Sequence, residues 1–480
     1  MSATQLLALT PLAILGATAM AVLLGIAWRR HHAATALVTV TGLALALAAL
    51  PLAWRLAPSQ TPLLVVDGPA VFAAALVLVA ALVCASLGHA YLEADREPRE
   101  EFYLLLLCAA AGGVVLGASR HLASLFLGLE LLSMPLYGML AYAYHRPRSL
   151  EAGIKYLLLS AAATAFLLFG MALLYAETGR LALAELASAL GETAGPWGLA
   201  GLGLMLVGLG FKLSVVPFHL WTPDVYEGGP GPAATFLATA SKVAVFVVLL
   251  RLVIATPAFR GEAAGLVLAA LALASMLVGN LLALRQANLK RLLGYSSIAH
   301  FGYLLVVLAV ADGLAMESGG VYLVTYLVTT LAAFGVVTLV STPQGGEDAG
   351  ALHHYRGLFW RHPYLAGVLT VSLLSLAGIP FTAGFVGKFY VLALGVEAGR
   401  WWLVGGVVLG SAIGLYYYLR VLVTLYLVEP GMRRRDVVEH WGLGAGGIVV
   451  MGLALATLLL GIYPAPMIDW VREAGRLIGG

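Results

Sequence analysis

Charge is scarce in this sequence. Only 11% of the 480 residues are Asp, Glu, Lys or Arg, whereas a typical globular domain has about 25%. The hydrophobic fraction is 61% and the mean hydropathy is +0.95. The net charge of +3 provides no broad basic surface for a nucleic acid. The composition therefore argues against a soluble domain or a nucleic-acid partner, and it predicts an all-α polytopic membrane protein.

Cysteine is nearly absent as well. Cys84 and Cys108 lie in apolar runs, without CxxC spacing or a nearby histidine cluster. We interpret them as buried packing residues and not as disulfide or metal ligands. The sequence also lacks a Walker loop, a haem CxxCH motif, iron–sulfur spacing and a nucleophile–base pattern. No cofactor, metal or redox centre is therefore predicted in this chain.

Long apolar runs are abundant, and runs of about 18–25 residues are long enough to cross a bilayer as helices. The first run lacks a basic leading segment and a clear cleavage site, so we interpret it as a retained helix and not as a signal peptide. About fourteen transmembrane helices, numbered helix 1 to helix 14, are predicted at 6–28, 33–54, 70–90, 103–119, 121–143, 154–176, 197–220, 233–255, 264–284, 292–310, 320–340, 365–394, 402–427 and 445–463.

Basic residues in the short loops alternate between the two sides of the membrane. One side has clusters: Arg29 and Arg30, Arg96 and Arg99, Arg146 and Arg148, Arg285, Lys290 and Arg291, Arg356 and Arg361, and Arg433, Arg434 and Arg435. The other side has mostly single residues: Arg55, Arg120, Arg180, Arg260 and Arg400. Because cytoplasmic loops are enriched in Lys and Arg, the first side is predicted to be cytoplasmic and both termini to lie on the other side.

Two of the predicted helices contain residues that interrupt a helix. Helix 7 includes Pro217 after Lys212. Helix 12 includes Gly378, Pro380 and Gly384. Lipid cannot satisfy the carbonyls that proline frees, so such breaks are tolerated only inside protein or beside water. The breaks lie five helices apart, an odd offset that predicts two inverted five-helix repeats, as in transporters. The predicted units are an N-terminal segment 1–102, repeats 103–255 and 264–428, and a C-terminal segment 429–480.

Charged residues inside the apolar runs are few and therefore informative. Of only five lysines, Lys212, Lys242 and Lys388 lie deep in helices 7, 8 and 12, and Lys290 alone sits in a polar stretch. A charge at the bilayer centre costs roughly 2.5–3.5 kcal/mol on insertion scales, so it indicates function by default. Lysine can release a proton and arginine cannot, which favours a proton relay. The alternative, a lysine bonded to carbonyls freed at a break, fits Lys242 less well than Lys212 and Lys388.

A carboxylate and a histidine accompany these lysines. Glu130 lies in the middle of helix 5, where its short side chain cannot reach the headgroups. It is predicted to tune a buried lysine such as Lys212, and the alternative is a static ion pair. His300 lies in the middle of helix 10 between hydroxyl residues one turn away on either side. It can hand a proton from one ring nitrogen to the other, and the alternative is a satisfied core histidine.

Lys155 and His219 are weaker candidates for the same relay. Lys155 lies near the start of helix 6, where snorkelling to the headgroups explains it as well as a relay does. His219 follows Pro217 by two residues in helix 7.

Six segments of the sequence carry a family resemblance: LELLSMP at 129–135, KY at 155–156, FKLSVVPFHLWTPDVYEG at 211–228, SK at 241–242, NLKRLLGYSSIAH at 288–300 and GIPFTAGFVGKF at 378–389. Over essentially its whole length, the chain resembles the antiporter-like subunits of the proton-pumping NADH:quinone oxidoreductase, respiratory complex I. It is most similar to the subunit N group of that family, with about 480 residues, fourteen spans, a lysine in helix 12 and no long C-terminal lateral helix.

The resemblance implies a role for each matching residue. Glu130 and Lys212 would form the Glu–Lys pair of a first half-channel, and Lys242 would be the central connector. His300 would bridge to a second half-channel, whose terminal lysine would be Lys388.

Further expectations rest on the same resemblance. Lys155 and His219 match other polar positions of the family. Quinone reduction elsewhere in the complex would drive proton movement electrostatically, with flavin and iron–sulfur clusters in partner subunits. The partners would be other membrane subunits of complex I and membrane lipids, protons and water would be the transported species, and the location would be a bacterial inner membrane.

Two other functions stay open at this point. A subunit of a multisubunit cation/proton antiporter would share the plan of lysines and helix breaks without a redox partner, and its transport would depend on sodium. A scaffold that anchors other membrane subunits would tolerate methionine at Lys212 and Lys242.

Overall fold

The computed structural model describes residues 2–94, 98–191, 194–311, 314–341, 347–427 and 444–477. Thirteen helices in these ranges are long and apolar enough to cross a membrane. Helix 12 accounts for the remaining predicted span, because it is divided into two shorter helices. The fold class is therefore confirmed. Arg96 and the cluster Arg433, Arg434 and Arg435, on which part of the orientation rests, lie outside the described residues.

The helices lie where the apolar runs predict them, with shifted ends. Their bounds are Thr10–Trp28, His32–Ala48, Gly68–Glu93, Glu100–Gly117, Leu122–Leu140, Pro147–Thr178, Pro196–Leu213 (helix 7a) with Trp221–Gly228 (helix 7b), Gly231–Ala255, Glu262–Ala283, Leu289–Val310, Ala315–Ser341, Pro363–Ala377 (helix 12a) with Ala383–Glu397 (helix 12b), Trp401–Tyr426 and Ala445–Ile462. Shorter helices are Ala3–Ala8, Leu50–Arg55, Leu183–Leu190, Leu358–Arg361 and Ala465–Arg476, with 3₁₀ turns at Pro257–Arg260 and Leu352–Tyr355 and a hairpin of Ser59–Gln60 with Val65–Val66.

Local sequence rules set several helix ends. The Asp67 side chain accepts a hydrogen bond from the Ala70 amide at 3.0 Å and so caps helix 3. The Asn288 side chain does the same for helix 10, accepting from the amides of Lys290 and Arg291. Helix 6 ends at Gly179, whose φ of 63° suits a residue without a side chain.

Both predicted breaks are present. Helix 7a ends at Ser214, which adopts the left-handed conformation with φ 63°, and helix 7b begins at Trp221. Helix 12a ends at Gly378 with φ 86°, and helix 12b begins at Ala383. The Gly384 amide, at the start of helix 12b, donates to the Ser375 hydroxyl of helix 12a at 2.9 Å. Protein groups thus replace part of the hydrogen bonding that lipid cannot supply.

Helix 8 contains a third interruption that the sequence did not indicate. Residues Leu237–Ser241 are π-helical, and the regular helix resumes at Lys242. Such π segments within α-helices are frequent at functional sites. The interruption therefore directs attention to the lysine that follows it.

Burial divides the helices into a central and an outer set. Helix 11 is buried throughout its most apolar stretch, and helices 3, 8 and 10 are largely buried. Helices 1, 13 and 14 bury a minority of their residues and expose leucine, valine and isoleucine side chains. This arrangement is expected where lipid faces the outer helices and polar side chains are confined to the centre.

The two sets of five helices repeat one packing pattern. Helix 4 packs along helix 5 as helix 9 packs along helix 10. Helix 6 packs along helix 7a as helix 11 packs along both halves of helix 12. This is the pattern that two repeats would give, and the predicted unit boundaries stay a prediction.

Candidate functional site

Lys212 lies at the end of helix 7a, next to the first break, and is 3% exposed. Its Nζ atom donates to the hydroxyls of Ser133 on helix 5 and Ser160 on helix 6, each at 2.6 Å. The Tyr156 ring lies 5.6 Å from the same nitrogen. Among the residues that the structure describes, the partners of Lys212 are thus hydroxyls of neighbouring helices and not the carbonyls of its own break.

Glu130 and Lys212 are not in direct contact, since no ion pair within 4.0 Å joins these two described residues. Glu130 instead accepts a hydrogen bond from Thr164 at 2.9 Å. Thr164 and Ser160 lie one turn apart on helix 6, so one face of that helix binds both charged groups. The implied pair therefore takes the form of two groups separated by hydroxyls.

Lys242 follows the π segment of helix 8 and is fully buried. Its Nζ atom donates to the Ser297 hydroxyl at 2.8 Å, and the Ser297 hydroxyl lies 2.7 Å from the hydroxyl of Tyr326. The Phe301 ring centre is 4.9 Å from the nitrogen. Helices 8, 10 and 11 thus meet at one lysine and two hydroxyls.

His300 lies one turn after Ser297 on helix 10 and is 5% exposed. Nδ1 is 2.6 Å from the hydroxyl of Tyr322, and Nε2 is 3.3 Å from that of Tyr418. The imidazole ring is therefore bracketed by phenols from helices 11 and 13. A ring bonded at both nitrogens has the geometry to take up a proton at one and release it at the other.

Lys388 lies on helix 12b and is 7% exposed. Its Nζ atom donates to the Ala377 carbonyl at 2.8 Å, at the end of helix 12a. The Tyr303 ring centre lies 5.3 Å from the nitrogen. A carbonyl freed at the break thus binds this lysine, as the sequence alternative proposed for it.

Aromatic rings occupy the space between Lys212 and Lys242. The ring of Tyr156 packs on that of Trp221 at 4.9 Å, and the ring of Tyr226 lies 6.5 Å beyond. The Tyr226 ring centre is 5.7 Å from the Lys242 nitrogen. Helix 7b therefore places aromatic groups between the first two lysines.

Lys155 lies in a different environment from these three lysines. Its side chain is 40% exposed and forms ion pairs with Glu151 at 2.6 Å and Asp224 at 2.9 Å. Asp224 and Glu227 in turn bind Arg291, at 2.6 and 2.9 Å. Together these residues line a cavity of about 180 Å³. Lys155 thus belongs to a partly exposed ionic cluster.

His219 lies in the turn between helices 7a and 7b and is 7% exposed. In the part of the chain that the structure describes, no hydrogen bond joins its ring to Lys212 or Lys242. The described residues also contain no group of three or more His, Cys, Asp or Glu with the geometry of a metal site.

Comparison with known proteins identifies the family. The family described as NADH:quinone oxidoreductase/Mrp antiporter, transmembrane region, matches residues 119–414. NADH-quinone oxidoreductase subunit N of Chromohalobacter salexigens is 69% identical over 471 residues, which cover 98% of this chain and 99% of that relative. The chain belongs to the NADH-quinone oxidoreductase subunit N family. Subunit N of Ectopseudomonas mendocina is 58% identical over 479 residues, covering 98% of this chain and 97% of the relative.

Solved structures share the fold of this chain. A chain of respiratory complex I from Thermus thermophilus with bound aureothin has a TM-score of 0.83 and 37% identity, covering 96% of this chain and 98% of that one. The archaeal membrane-bound sulfane sulfur reductase has a TM-score of 0.89 at 24% identity, covering 99% and 98%. The Mrp complex from Dietzia has a TM-score of 0.85 at 20% identity, covering 99% and 97%. The last two likenesses show a shared fold alone.

Sequence reasoning missed an ionic cluster at one end of this subunit N fold. Lys290, which the sequence places in a polar stretch, is fully buried and pairs with Asp348 at 2.7 Å. Asp348 also pairs with Arg146 at 3.3 Å and accepts from the Tyr91 hydroxyl at 2.6 Å. The loop that carries Asp348 covers the start of helix 10, where the Leu289 amide donates to the Gly350 carbonyl. The polar neighbours of Lys290 gave no signal of this burial.

A second missed pair lies at the other end of helix 3. Arg251, near the end of helix 8, pairs with Asp67, which is completely buried. The available signal was an arginine four residues before the end of an apolar helix, because charged residues within membranes usually pair with one another.

Proposed function

We propose that this member of the subunit N family translocates protons in the membrane part of NADH-quinone oxidoreductase. The proposed relay consists of Glu130, Lys212, Lys242, His300 and Lys388, and quinone reduction in partner subunits drives it. Family membership supports the activity, and the geometry of these five residues, called the row below, supports the choice of residues. Flavin and iron–sulfur clusters belong to partner subunits in this proposal.

The partners of the lysines carry the choice of residues. In the described ranges, no carboxylate lies within 4.0 Å of the Nζ atoms of Lys212, Lys242 or Lys388, which bind only hydroxyl or carbonyl oxygens. Lys155 and Lys290, by contrast, are neutralised by carboxylates. Burial raises the free energy of a charged ammonium relative to the neutral amine, and no counter-ion offsets that cost here. Its charge state is therefore free to change during turnover.

Hydroxyl groups provide the links between members of the row. A serine or tyrosine hydroxyl both donates and accepts, so Ser297 and Tyr326 extend the hydrogen-bonded chain from Lys242 towards the ring of His300, which lies 5.5 Å from that of Tyr326. The Tyr303 ring centre lies 5.7 Å from that of His300 and 5.3 Å from the Lys388 nitrogen. The second half of the row is thus continuous through side chains.

Charge changes couple the members electrostatically. A unit charge acts over long distances in a low-dielectric interior, so adding or removing a proton at one lysine shifts the titration of its neighbours. Glu130 extends this series at the first lysine through the Ser160–Thr164 face of helix 6. We propose that this coupling transmits the effect of quinone reduction along the chain.

The surroundings of the chain are part of the same proposal. Other membrane subunits of complex I and membrane lipids surround it in a bacterial inner membrane, and both termini lie on the non-cytoplasmic side. The antiporter alternative receives less support, because the likeness to the Mrp complex at 20% identity concerns the fold alone.

Replacing Lys242 by methionine in membranes that assemble the whole complex tests the proposal. We expect NADH:quinone turnover and proton pumping to fall together by at least about tenfold, since the central connector loses its titratable group. Both rates are measured on the same vesicles, with assembly checked by the amount of intact complex.

Lys155→Met is the matched control, because it removes a lysine from the ionic cluster outside the row. We expect it to keep more than about half of both rates. Normal turnover and pumping in Lys242→Met would refute the relay and leave a scaffold role. Sodium-dependent transport by the intact complex would instead favour the antiporter alternative.

A further inference from the structure

A cavity of about 390 Å³ lies at the end of helix 3 away from the Lys290–Asp348 cluster. Its walls come from the starts of helices 3 and 11, the turn between helices 4 and 5, the end of helix 8 and the short helix Leu183–Leu190. The volume is within the range of about 300–1,000 Å³ that small-molecule sites occupy. None of the proposed relay residues lines it.

Most of the cavity wall is apolar. Leu183, Ala187, Leu252, Ile254 and Met316 contribute side chains to it. The polar groups are few, and the charged ones are two guanidinium groups, on Arg120 and Arg251. An apolar wall with a few convergent polar groups is the usual composition of a ligand site.

The charges on the wall do not cancel. Arg251 is neutralised by the buried carboxylate of Asp67. Arg120 donates to the Gln60 side-chain oxygen at 2.7 Å and to the Thr61 carbonyl at 3.4 Å, both uncharged acceptors. No described carboxylate lies within 4.0 Å of Arg120. The wall therefore has one positive charge in excess.

Two polar atoms on the same wall lack partners. Thr256 is completely buried, and its hydroxyl has no hydrogen-bond partner among the described residues. The Nε atom of Arg251 is buried and equally unpartnered there. Buried polar groups are nearly always hydrogen-bonded in native proteins. Because both atoms are inaccessible, the selection of an occupant rests on the charge of Arg120.

We infer that this cavity binds one phospholipid with a singly negative phosphate headgroup. The phosphate matches the excess charge of Arg120 and binds at its guanidinium group. Guanidinium groups are well suited to phosphate because their donors are planar and paired. One acyl chain lies along the apolar wall at Leu183, Leu252 and Ile254.

The test uses the assembled complex, which is delipidated in detergent and then supplied with photoactivatable phosphatidylglycerol. Crosslinks are mapped to segments 183–188 and 251–257 and quantified against lipid concentration. We expect Arg120→Gln to raise the half-saturating concentration by about tenfold or more, the order expected for one lost charge-assisted hydrogen bond. Arg180→Gln is the matched control, because Arg180 is 59% exposed, pairs with Glu185 and does not line the cavity.

Competitors and a second variant separate the remaining explanations. Unlabelled phosphatidylglycerol should displace the probe, whereas phosphatidylcholine and millimolar inorganic phosphate should not. Equal competition by phosphate would reduce the cavity to a simple anion site, and equal competition by phosphatidylcholine would overturn the charge argument. If Arg120→Gln fails to assemble, Ser188→Asp, which adds a negative charge to the exposed part of the cavity wall, should raise the half-saturating concentration instead. An electron cryo-microscopy map showing a neighbouring subunit's side chain in the cavity would also overturn the proposal.

Discussion

At the residue scale, the hydrogen-bond or ion-pair partner of a lysine separates the proposed relay lysines from the other lysines better than burial does. Lys242 and Lys290 are both completely buried. Lys242 donates to a serine hydroxyl, whereas Lys290 is neutralised by Asp348, 58 residues further along the chain. The apolar run around Lys242 predicted its burial. The partner of Lys290 comes from a distant loop, which no local pattern reveals.

Ser297 offers a test of the hydroxyl links. Ser297→Ala removes the acceptor for Lys242 and the contact to Tyr326. We expect turnover and proton pumping to fall several-fold while the complex still assembles, because only one hydroxyl is lost.

Ser372→Ala is the matched control for this change. Ser372 is completely buried and donates only within its own helix, to the Val368 carbonyl. Equal losses of pumping in the two variants would show that Ser297 has no special place in the row.

At the element scale, one helix interruption lies next to each of the three proposed relay lysines, Lys212, Lys242 and Lys388. Proline and glycine predict the breaks of helices 7 and 12, because proline lacks a backbone donor and glycine readily adopts positive φ. The π segment Leu237–Ser241 has no such residue. The segment packs against helices 3, 4 and 11. Tertiary contacts of this kind are outside the reach of local sequence rules.

A substitution at Gly378 tests whether the break in helix 12 positions Lys388. A Cβ atom there would lie 2.8 Å from Cδ of Lys388, and φ is 86°, where a side chain is disfavoured. Gly378→Ala should destabilise the chain by about 1–2 kcal/mol, the order of the left-handed penalty. It should also displace Lys388 and reduce pumping more than it reduces the amount of complex. Thermal unfolding and pumping per assembled complex measure the two effects.

Gly367→Ala is the control on the same helix, because a Cβ atom at Gly367 meets nothing within 4 Å. It should leave both the melting temperature and pumping unchanged or slightly raise the former. A normal pumping rate in Gly378→Ala would show that this break does not position Lys388.

At the scale of the whole molecule, hydropathy predicted the number and order of the helices but not their arrangement. Helices 1 and 11 are similarly apolar, yet helix 11 is enclosed and helix 1 is mostly exposed. What distinguishes helix 11 is that its side chains belong to the polar interior, where Tyr326 and Tyr322 contact Ser297 and His300. The Asp348 cluster then joins helix 3, helix 10 and two loops at one end.

Asp348→Asn tests whether that cluster stabilises the assembled chain without entering the relay. It leaves the buried Lys290 without a counter-ion, a loss of the order of about 3–5 kcal/mol. We expect a lower melting temperature and less complex, with normal pumping per assembled complex. Glu347→Gln is the matched control, because Glu347 is 57% exposed. Lost pumping at normal stability would instead place Asp348 in the relay.

The two hydroxyl partners of Lys212 have a consequence for how a proton leaves it. The Ser133 hydroxyl gives its own hydrogen to the Leu129 carbonyl, so its oxygen is available only to accept. An ammonium has three hydrogens and a neutral amine has two, and Lys212 uses two. Departure of the third hydrogen leaves both bonds in place and uncovers a lone pair. The same two hydroxyls can therefore hold the nitrogen both before and after the transfer.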